Sequence, residues 1–297
     1  MMLISYTNPN GGSVSLGTGT VYGITKHDGF DSPDLDLQTQ KAPFQDGDTL
    51  IDQLFKPRLV VIQGWILLAQ QLAAIDNARA SLLSVINPKL GAGVLSVTNN
   101  IGTKILNAIP APGPKFAWKS GAQPWQAYQL QFTADDPYFY DASPTAVTFK
   151  IATGGKSFPI GTGWSWPLGV GAPFAILAGG ARTQIISNVG TALTPVSFVF
   201  AGAATNPKVT NSTTGQFIKL SLTLGSGDIV TVNTAFGKKT VTLTRAGQSP
   251  VNAMGYLVNG SQFFSLTYGP NAITYSDDTS STASSLALTY SNRYVGI

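Results

Sequence analysis

The stretch from Phe132 to Asp141, FTADDPYFYD, sets three aspartates around a proline and three aromatic rings. The chain's 14 acidic residues are all aspartate, so a pair of carboxylates side by side raises the question of acid/base chemistry. Glycoside hydrolysis needs two carboxyl groups converging on one bond from roughly 5 to 9.5 Å apart. Asp135 and Asp136 are neighbours at the end of a β-type run, and neighbours on a strand point to opposite faces. The same residues read well as architecture. Pro137 ends a strand's hydrogen bonding, and an Asp just before it can accept backbone N–H bonds in a turn. Tyr138, Phe139 and Tyr140 are then expected to bury large rings where two domains or two subunits meet.

The other candidates for chemistry are weaker. His27 is the one histidine and precedes Asp28, but no serine sits in a G-x-S-x-G elbow that would complete a triad. Gly154 to Ser157, GGKS, imitates the end of a phosphate-binding loop, yet Lys150 stands where that motif demands glycine. Asp46, Asp48 and Asp52 fall near a calcium-loop spacing, but Leu50 occupies a ligand position and no glutamate closes the loop. Without cysteine there is no thiol nucleophile, disulfide or cysteine zinc site. No catalytic residue, metal or cofactor is assigned.

The elements that carry these residues follow from composition and pattern. At 297 residues the chain exceeds one average domain. Only 11% of residues are charged, against roughly 25% in an average soluble protein. So neutral a surface invites association, and much of it is expected to be covered by partners. The net charge of +4 is spread without a basic block, which argues against a nucleic-acid-binding arm. Residues 1–144 hold 9 Lys/Arg and 11 Asp, whereas 145–297 hold 9 and 3, as two domains of different character would. The N-terminus has neither the basic start nor the apolar core of a secretory signal. The longest apolar stretch, Leu59 to Ala69, is about half the ~20 residues a membrane span needs, and no membrane insertion is expected.

The first half opens with short β-type segments and an acidic loop from His27 to Asp52 with seven Asp, read as a surface arm. A β-prone run from Arg58 to Leu68 follows, with Gly64 as a candidate bulge. Leu72, Ile75, Arg79, Leu82, Leu83 and Ile86 recur at helical spacing until Asn87-Pro88. A hairpin around Asn99-Asn100 comes next, and a strand opening at Trp125 alternates Tyr128, Leu130 and Phe132 on one face. Beyond Thr145 the pattern is all β, with Phe217, Leu220, Leu222 and Leu224 as a buried face, interrupted by a Gly- and Pro-rich loop that Trp164 and Trp166 anchor. Two domains are expected, 1–143 and 144–297, mainly β with one helix in the first.

In order along the chain, RLVVIQGWI, FTADDPYFYD, NPKVTNSTTGQFIKLSLTLGSGDIVTVNT and FFSLTYGPNAITY resemble the distal tail (Dit) proteins of long, flexible-tailed bacteriophages. The resemblance covers nearly the whole chain. It implies an N-terminal domain that forms a homohexameric ring below the tail tube, and a galectin-like C-terminal β-sandwich. It implies a hub rather than an enzyme, at the distal tip of the virion tail, assembled in the host cytoplasm. Its partners would be itself, the tail tube protein, a tail-associated hub or fibre protein and receptor-binding proteins, with DNA passing through the lumen without specific binding. Within that frame Trp125, Asp135, Asp136, Pro137, Tyr138, Phe139 and Tyr140 are expected at a domain junction or interface. Asp46, Asp48 and Asp52, closing on basic Arg58 or Lys56 of a neighbour, are expected to form an inter-subunit strap. The alternative is a carbohydrate-binding protein that recognises host cell-wall glycans through the sandwich.

Overall fold

The computed structural model describes residues 2–67, 72–117, 125–150, 182–279 and 282–297. The expectations for the loop with Trp164 and Trp166, and for Gly154 to Ser157, lie outside them. The chain divides into two compact units: residues 1–143 together with 293–297, and residues 144–292. In this division the second unit ends at residue 292. The chain returns to the first unit for its last five residues.

In the first unit a ten-stranded antiparallel sheet is built from β1 (Leu3–Thr7), β2 (Ser13–Gly17), β3 (Tyr22–Asp28) and β6 (Arg58–Leu67) with later strands. Between β3 and β6 the chain leaves the sheet to form a separate two-stranded ribbon, β4 (Leu35–Gln40) and β5 (Thr49–Phe55). The expected acidic loop is therefore a β-hairpin. After β6 come α1 (Leu72–Val85), β7 (Gly93–Asn99), β8 (Gly102–Pro110), β9 (Lys115–Phe116), β10 (Trp125–Ala134) and β11 (Phe139–Asp141). The sheet runs β2-β1-β7-β8-β10-β6-β3, with β9 beside β10 and β11 beside β8.

Burial follows the period-2 pattern of strands. Val60, Ile62 and Ile66 of β6 and Tyr128, Leu130, Phe132 and Ala134 of β10 face the core. The helix lays Ala78, Leu82 and, just past its end, Ile86 on this core, while Leu83 points to solvent at 48% exposure. It is tied down at two carbonyls: Tyr22 Oη donates to Ala78 O at 3.0 Å and Asn8 Nδ2 to Val85 O at 3.1 Å.

The bulge expected at Gly64 lies on the partner strand instead, where β3 shifts register between Ile24 and Lys26. Gly64 is needed for close approach: a Cβ there would sit 1.9 Å from Gly23 O and 2.6 Å from the Tyr128 hydroxyl oxygen. Neither neighbour can yield cheaply, since Tyr128 Oη donates to that same Gly23 carbonyl at 3.1 Å. Gly64→Ala is expected to destabilise the first unit by about 3 kcal/mol, the upper end for overpacking. A urea midpoint unchanged from wild type would refute this.

The second unit has two sheets over one core. One contains β12 (Thr145–Lys150), β14 (Thr194–Ala201), β19 (Ile229–Asn233), β20 (Thr240–Thr244), β21 (Val251–Asn252), β22 (Ser265–Leu266) and β24 (Ser285–Tyr290). The other contains β13 (Arg182–Asn188), β16 (Lys208–Asn211), β17 (Gln216–Lys219) and β23 (Gly269–Ser276). A two-stranded piece, β15 (Ala204–Thr205) with β18 (Thr223–Leu224), completes it. Phe198, Phe200, Val230 and Leu288 from the first sheet meet Ile186, Val209, Ile273 and Tyr275 from the second. The buried face near residue 217 has the opposite phase at its start: Ile218, Leu220, Leu222 and Leu224 are inside, while Phe217 is half-buried.

The polar residues quoted for the resemblance act here as turn locks. Asn206 sits at φ 49° and Gly215 at φ 74°, backbone conformations that favour Asn and Gly. Asn271, fully buried, accepts from Thr267 N at 3.0 Å and donates to Thr267 O and Gly269 O. Asp228 accepts from Gly225 N at 3.0 Å and Ala246 N at 3.1 Å, and pairs with Arg245 at 2.7 Å. These backbone hydrogen bonds, more than Arg245, hold its carboxyl below the ordinary 3.8. A depressed carboxylate contributes stability that is fully present above the ordinary value and is lost as pH falls through the lower folded one. Asp228→Asn should therefore flatten the acid limb of the second unit's stability below pH 3.8, read as urea midpoint against pH. An acid limb identical to wild type would refute it.

The last strand, β25 (Arg293–Tyr294), pairs with β11 in the first unit, Tyr294 opposite Phe139 and Arg293 opposite Tyr140.

Candidate functional site

The end of β10 and the turn into β11 meet at Arg58, the first residue of β6. Arg58 is 1% exposed, among the largest fully buried side chains of the described residues. Its Nε donates to Pro137 O at 2.6 Å, and its Nη1 to Gly29 O at 2.7 Å and Asp31 O at 2.5 Å. Its Nη2 donates to Val295 O, and the guanidinium carbon lies 4.7 Å from the centre of the Phe139 ring. One planar fork thus joins three chain segments through four carbonyls, a task suited to five donors in fixed geometry. Burial pushes its pKa down to about 10 against the opposing pull of Asp31, so it stays a cation at neutral pH. The expected role of Arg58 on a surface that receives a neighbour's aspartates is thereby corrected: no solvent-facing charge is left to offer.

The motif around it is organised within the same unit. Asp136 accepts from Arg293 Nη2 at 2.7 Å, from Tyr138 N at 3.4 Å and from the Tyr140 hydroxyl. Burial and that hydrogen bond raise the Tyr140 pKa. Phe139 is fully buried and stacks on Phe30 with centroids 6.1 Å apart. Tyr138 meets Phe55 edge-on at 5.8 Å and carries the Arg293 guanidinium 3.9 Å over its ring. Pro137 is buried, Asp136 is half-buried within this network and Asp135 is exposed. Trp125, at the far end of β10, packs edge-on against Trp65 at 4.3 Å. Sequence reasoning set the three rings of the motif at a meeting of domains or subunits. The structure places them against Phe30, Phe55 and the returning C-terminal residues of their own unit.

Beside this network, Lys104 Nζ lies 2.5 Å from Asp141 Oδ1 and 3.9 Å from the Tyr294 ring centre. Burial alone would lower the Lys104 pKa, but Asp141 and Tyr294 outweigh it and the net shift is upward.

The β4–β5 hairpin is a different kind of surface. The register pairs Leu35 with Phe55, Leu37 with Gln53 and Thr39 with Leu50, so these six share one face. Asp36, Gln38, Gln40, Thr49, Asp52 and Leu54 share the other. The ribbon is amphipathic, and its apolar face is open to solvent, with Leu37 57% and Leu50 49% exposed. Asp46 and Asp48 lie in the exposed tip.

His27 is exposed on β3 with its ring edge-on to Phe30 at 5.2 Å. Among the described residues no three His, Cys, Asp or Glu gather as a metal site, and no helix is long and apolar enough to cross a membrane. Two open hollows of about 340 and 380 Å³ are lined without a carboxylate. Arg58 as a four-carbonyl clamp is the residue that sequence reasoning misplaced. The one signal was a lone Arg at the head of an apolar strand, followed by Leu-Val-Val-Ile.

Residues 189–294 match the family described as siphovirus-type tail component, C-terminal domain. Among solved structures the chain is similar to the Dit protein of phage SPP1, described as a paradigm of the hub adsorption apparatus in phages that infect Gram-positive bacteria. The identity is 12%, the TM-score 0.65, and the likeness covers 99% of each chain. A chain from the baseplate of phage P2, in its activated conformation with Ca, is similar at 10% identity and TM-score 0.52, over 100% of this chain and 99% of that one. No curated protein matches the chain. The likeness to these structures is one of fold, extending over both units. The resemblance drawn from the residues is borne out at this level: residues 189–294 match the siphovirus-type tail component C-terminal domain, within a mainly β chain whose fold is similar to that of SPP1 Dit.

Proposed function

We propose that this protein is a structural hub component of the distal tail of a long-tailed bacteriophage, and that it acts as a homohexameric ring. The observation that carries the reading is the fold match to SPP1 Dit over 99% of both chains, joined to the family match over residues 189–294. The role is mechanical, not catalytic. The ring joins the tail tube to the tail-tip hub, fibre or receptor-binding proteins at the virion's distal tip, and its lumen passes DNA without specific binding.

Two features support a ring. A low-charge surface suits a subunit covered on two sides, as heterologous contacts that close by rotation require. An isolated two-stranded hairpin is at best marginally stable in water, so the open apolar face of β4–β5 calls for a cover. The neighbouring copy supplies it: the hairpin is the inter-subunit strap, held by the exposed Leu35, Leu37 and Leu50. Asp52 rides on its outer face and Asp46 and Asp48 at its tip.

Negative-stain images and light scattering of the purified protein test this, with closed rings of six expected. A monomer at all concentrations would overturn the ring, and a monomer that binds host wall polysaccharide in calorimetry would favour the glycan-binding alternative.

A further inference from the structure

The last five residues enter the first unit as a strand added from outside its continuous chain. Each of their positions is held. Arg293 pairs with Asp136 at 2.7 Å, Tyr294 Oη donates to Asp141 Oδ1 at 3.2 Å, and the Val295 carbonyl takes a bond from Arg58. Gly296 lies so close to the backbone of Phe30 and Asp31 that a Cβ would come within 3.1 Å of Asp31 C and 3.2 Å of Phe30 O. Ile297 N donates to Phe30 O at 3.1 Å, and its side chain packs on the core. Each unit has its own hydrophobic core, and Tyr294 and Ile297 pack against that of the first. The connection into the second unit, Ala142 to Pro144, is exposed, and the connection out of it ends at β25, the antiparallel neighbour of β11.

Residues 144–292 interrupt the first unit, and we propose that residues 293–297 are a strand latch. The first unit contains a peptide-accepting slot, formed by β11, Arg58 and the Phe30–Asp31 backbone, that recognises Arg-Tyr-Val-Gly-Ile without needing a covalent connection. The recognition is chemical at every position. Asp136 selects a cation, Asp141 a phenol, and the Arg58 guanidinium a backbone carbonyl. The Phe30–Asp31 backbone favours glycine, since any side chain there would have to push that backbone aside by a few tenths of an ångström, and the core takes the aliphatic side chain of Ile297. The second unit is thus attached twice, once through the chain and once through the latch. This reading does not depend on the ring.

The test uses the full chain with a recognition site for a sequence-specific protease inserted between the exposed Ser143 and Pro144. After cutting, the two fragments are expected to remain one species in native mass spectrometry and gel filtration, and to separate in denaturant. The same cut in a chain carrying Arg293→Ala and Gly296→Val is expected to release two fragments. Because Gly296→Val could disturb folding, Arg293→Ala alone is measured as well, with faster carboxypeptidase removal of the tail before cutting as its expected result. Separation of the wild-type fragments without denaturant would overturn the latch. So would fragments of the doubly substituted chain that stay together, since the attachment would then lie elsewhere.

Discussion

Arg58→Met is expected to lower the stability of the first unit by on the order of 4 kcal/mol, while leaving the unfolding of the second unit unchanged. Methionine matches much of the arginine stem in volume and supplies none of its donors. The carbonyls of Pro137, Gly29, Asp31 and Val295 each lose a bond. An unsatisfied buried acceptor costs about 1–3 kcal/mol, and three of these bonds are only partly buried, so entering water recovers some of the loss. Against a typical domain stability of about 5–15 kcal/mol, the variant sits near the threshold of folding. Arg58→Lys is expected to fall between, because one ammonium keeps the charge but cannot span four carbonyls. Two calorimetric transitions, the first shifted and the second fixed, are the expected record. A first transition within error of wild type would remove Arg58 from the centre of this account. Hydrogen exchange at residues 293–297 adds a local readout, since their protection should collapse first.

The second large effect concerns assembly. Leu37→Asp together with Leu50→Asp puts two charges on the apolar face of the β4–β5 ribbon, the face assigned to a neighbouring copy in the proposed ring. Rings are expected to be lost from negative-stain images while the circular dichroism of the subunit stays native, because both side chains are already exposed in the single chain. The triple change Asp46→Asn, Asp48→Asn and Asp52→Asn is expected to leave rings intact with little altered salt sensitivity, since these residues lie at the tip and on the opposite face. The reverse pattern, assembly lost on the aspartate changes and kept on the leucine ones, would restore an electrostatic strap and discard the apolar one.

These two predictions mark where the sequence was legible and where it misled. The half-buried strand ending at Ala134, the helix ending before Pro88, the hairpin closed at Asn99 to Gly102 and the repeated β-strands past Thr145 were all readable. Each is written in local periodicity and turn chemistry, which need no knowledge of distant partners. The arm reads as a loop in the sequence but is a hairpin in the fold, because seven aspartates within 26 residues drown the alternation that its pairing reveals. Gly64 was noticed as exceptional, but the bulge belongs to the strand it faces.

Asp135 and Asp136 show the division most clearly. Read alone, the sequence implies that two adjacent carboxylates at a strand's end point apart, that Pro137 stops the strand, and that a mainly β chain in two parts is to be expected. The first two follow from backbone geometry, and the last from periodicity and the uneven charge of the two halves. Only the tertiary structure decided what the motif binds: Asp136 to Arg293, Phe139 to Phe30, and Pro137 O to Arg58. Arg293 is 157 residues from Asp136, and Val295 is 237 from Arg58. Such pairings are fixed by how the sheets bring distant segments together, and no local pattern in the intervening chain records them.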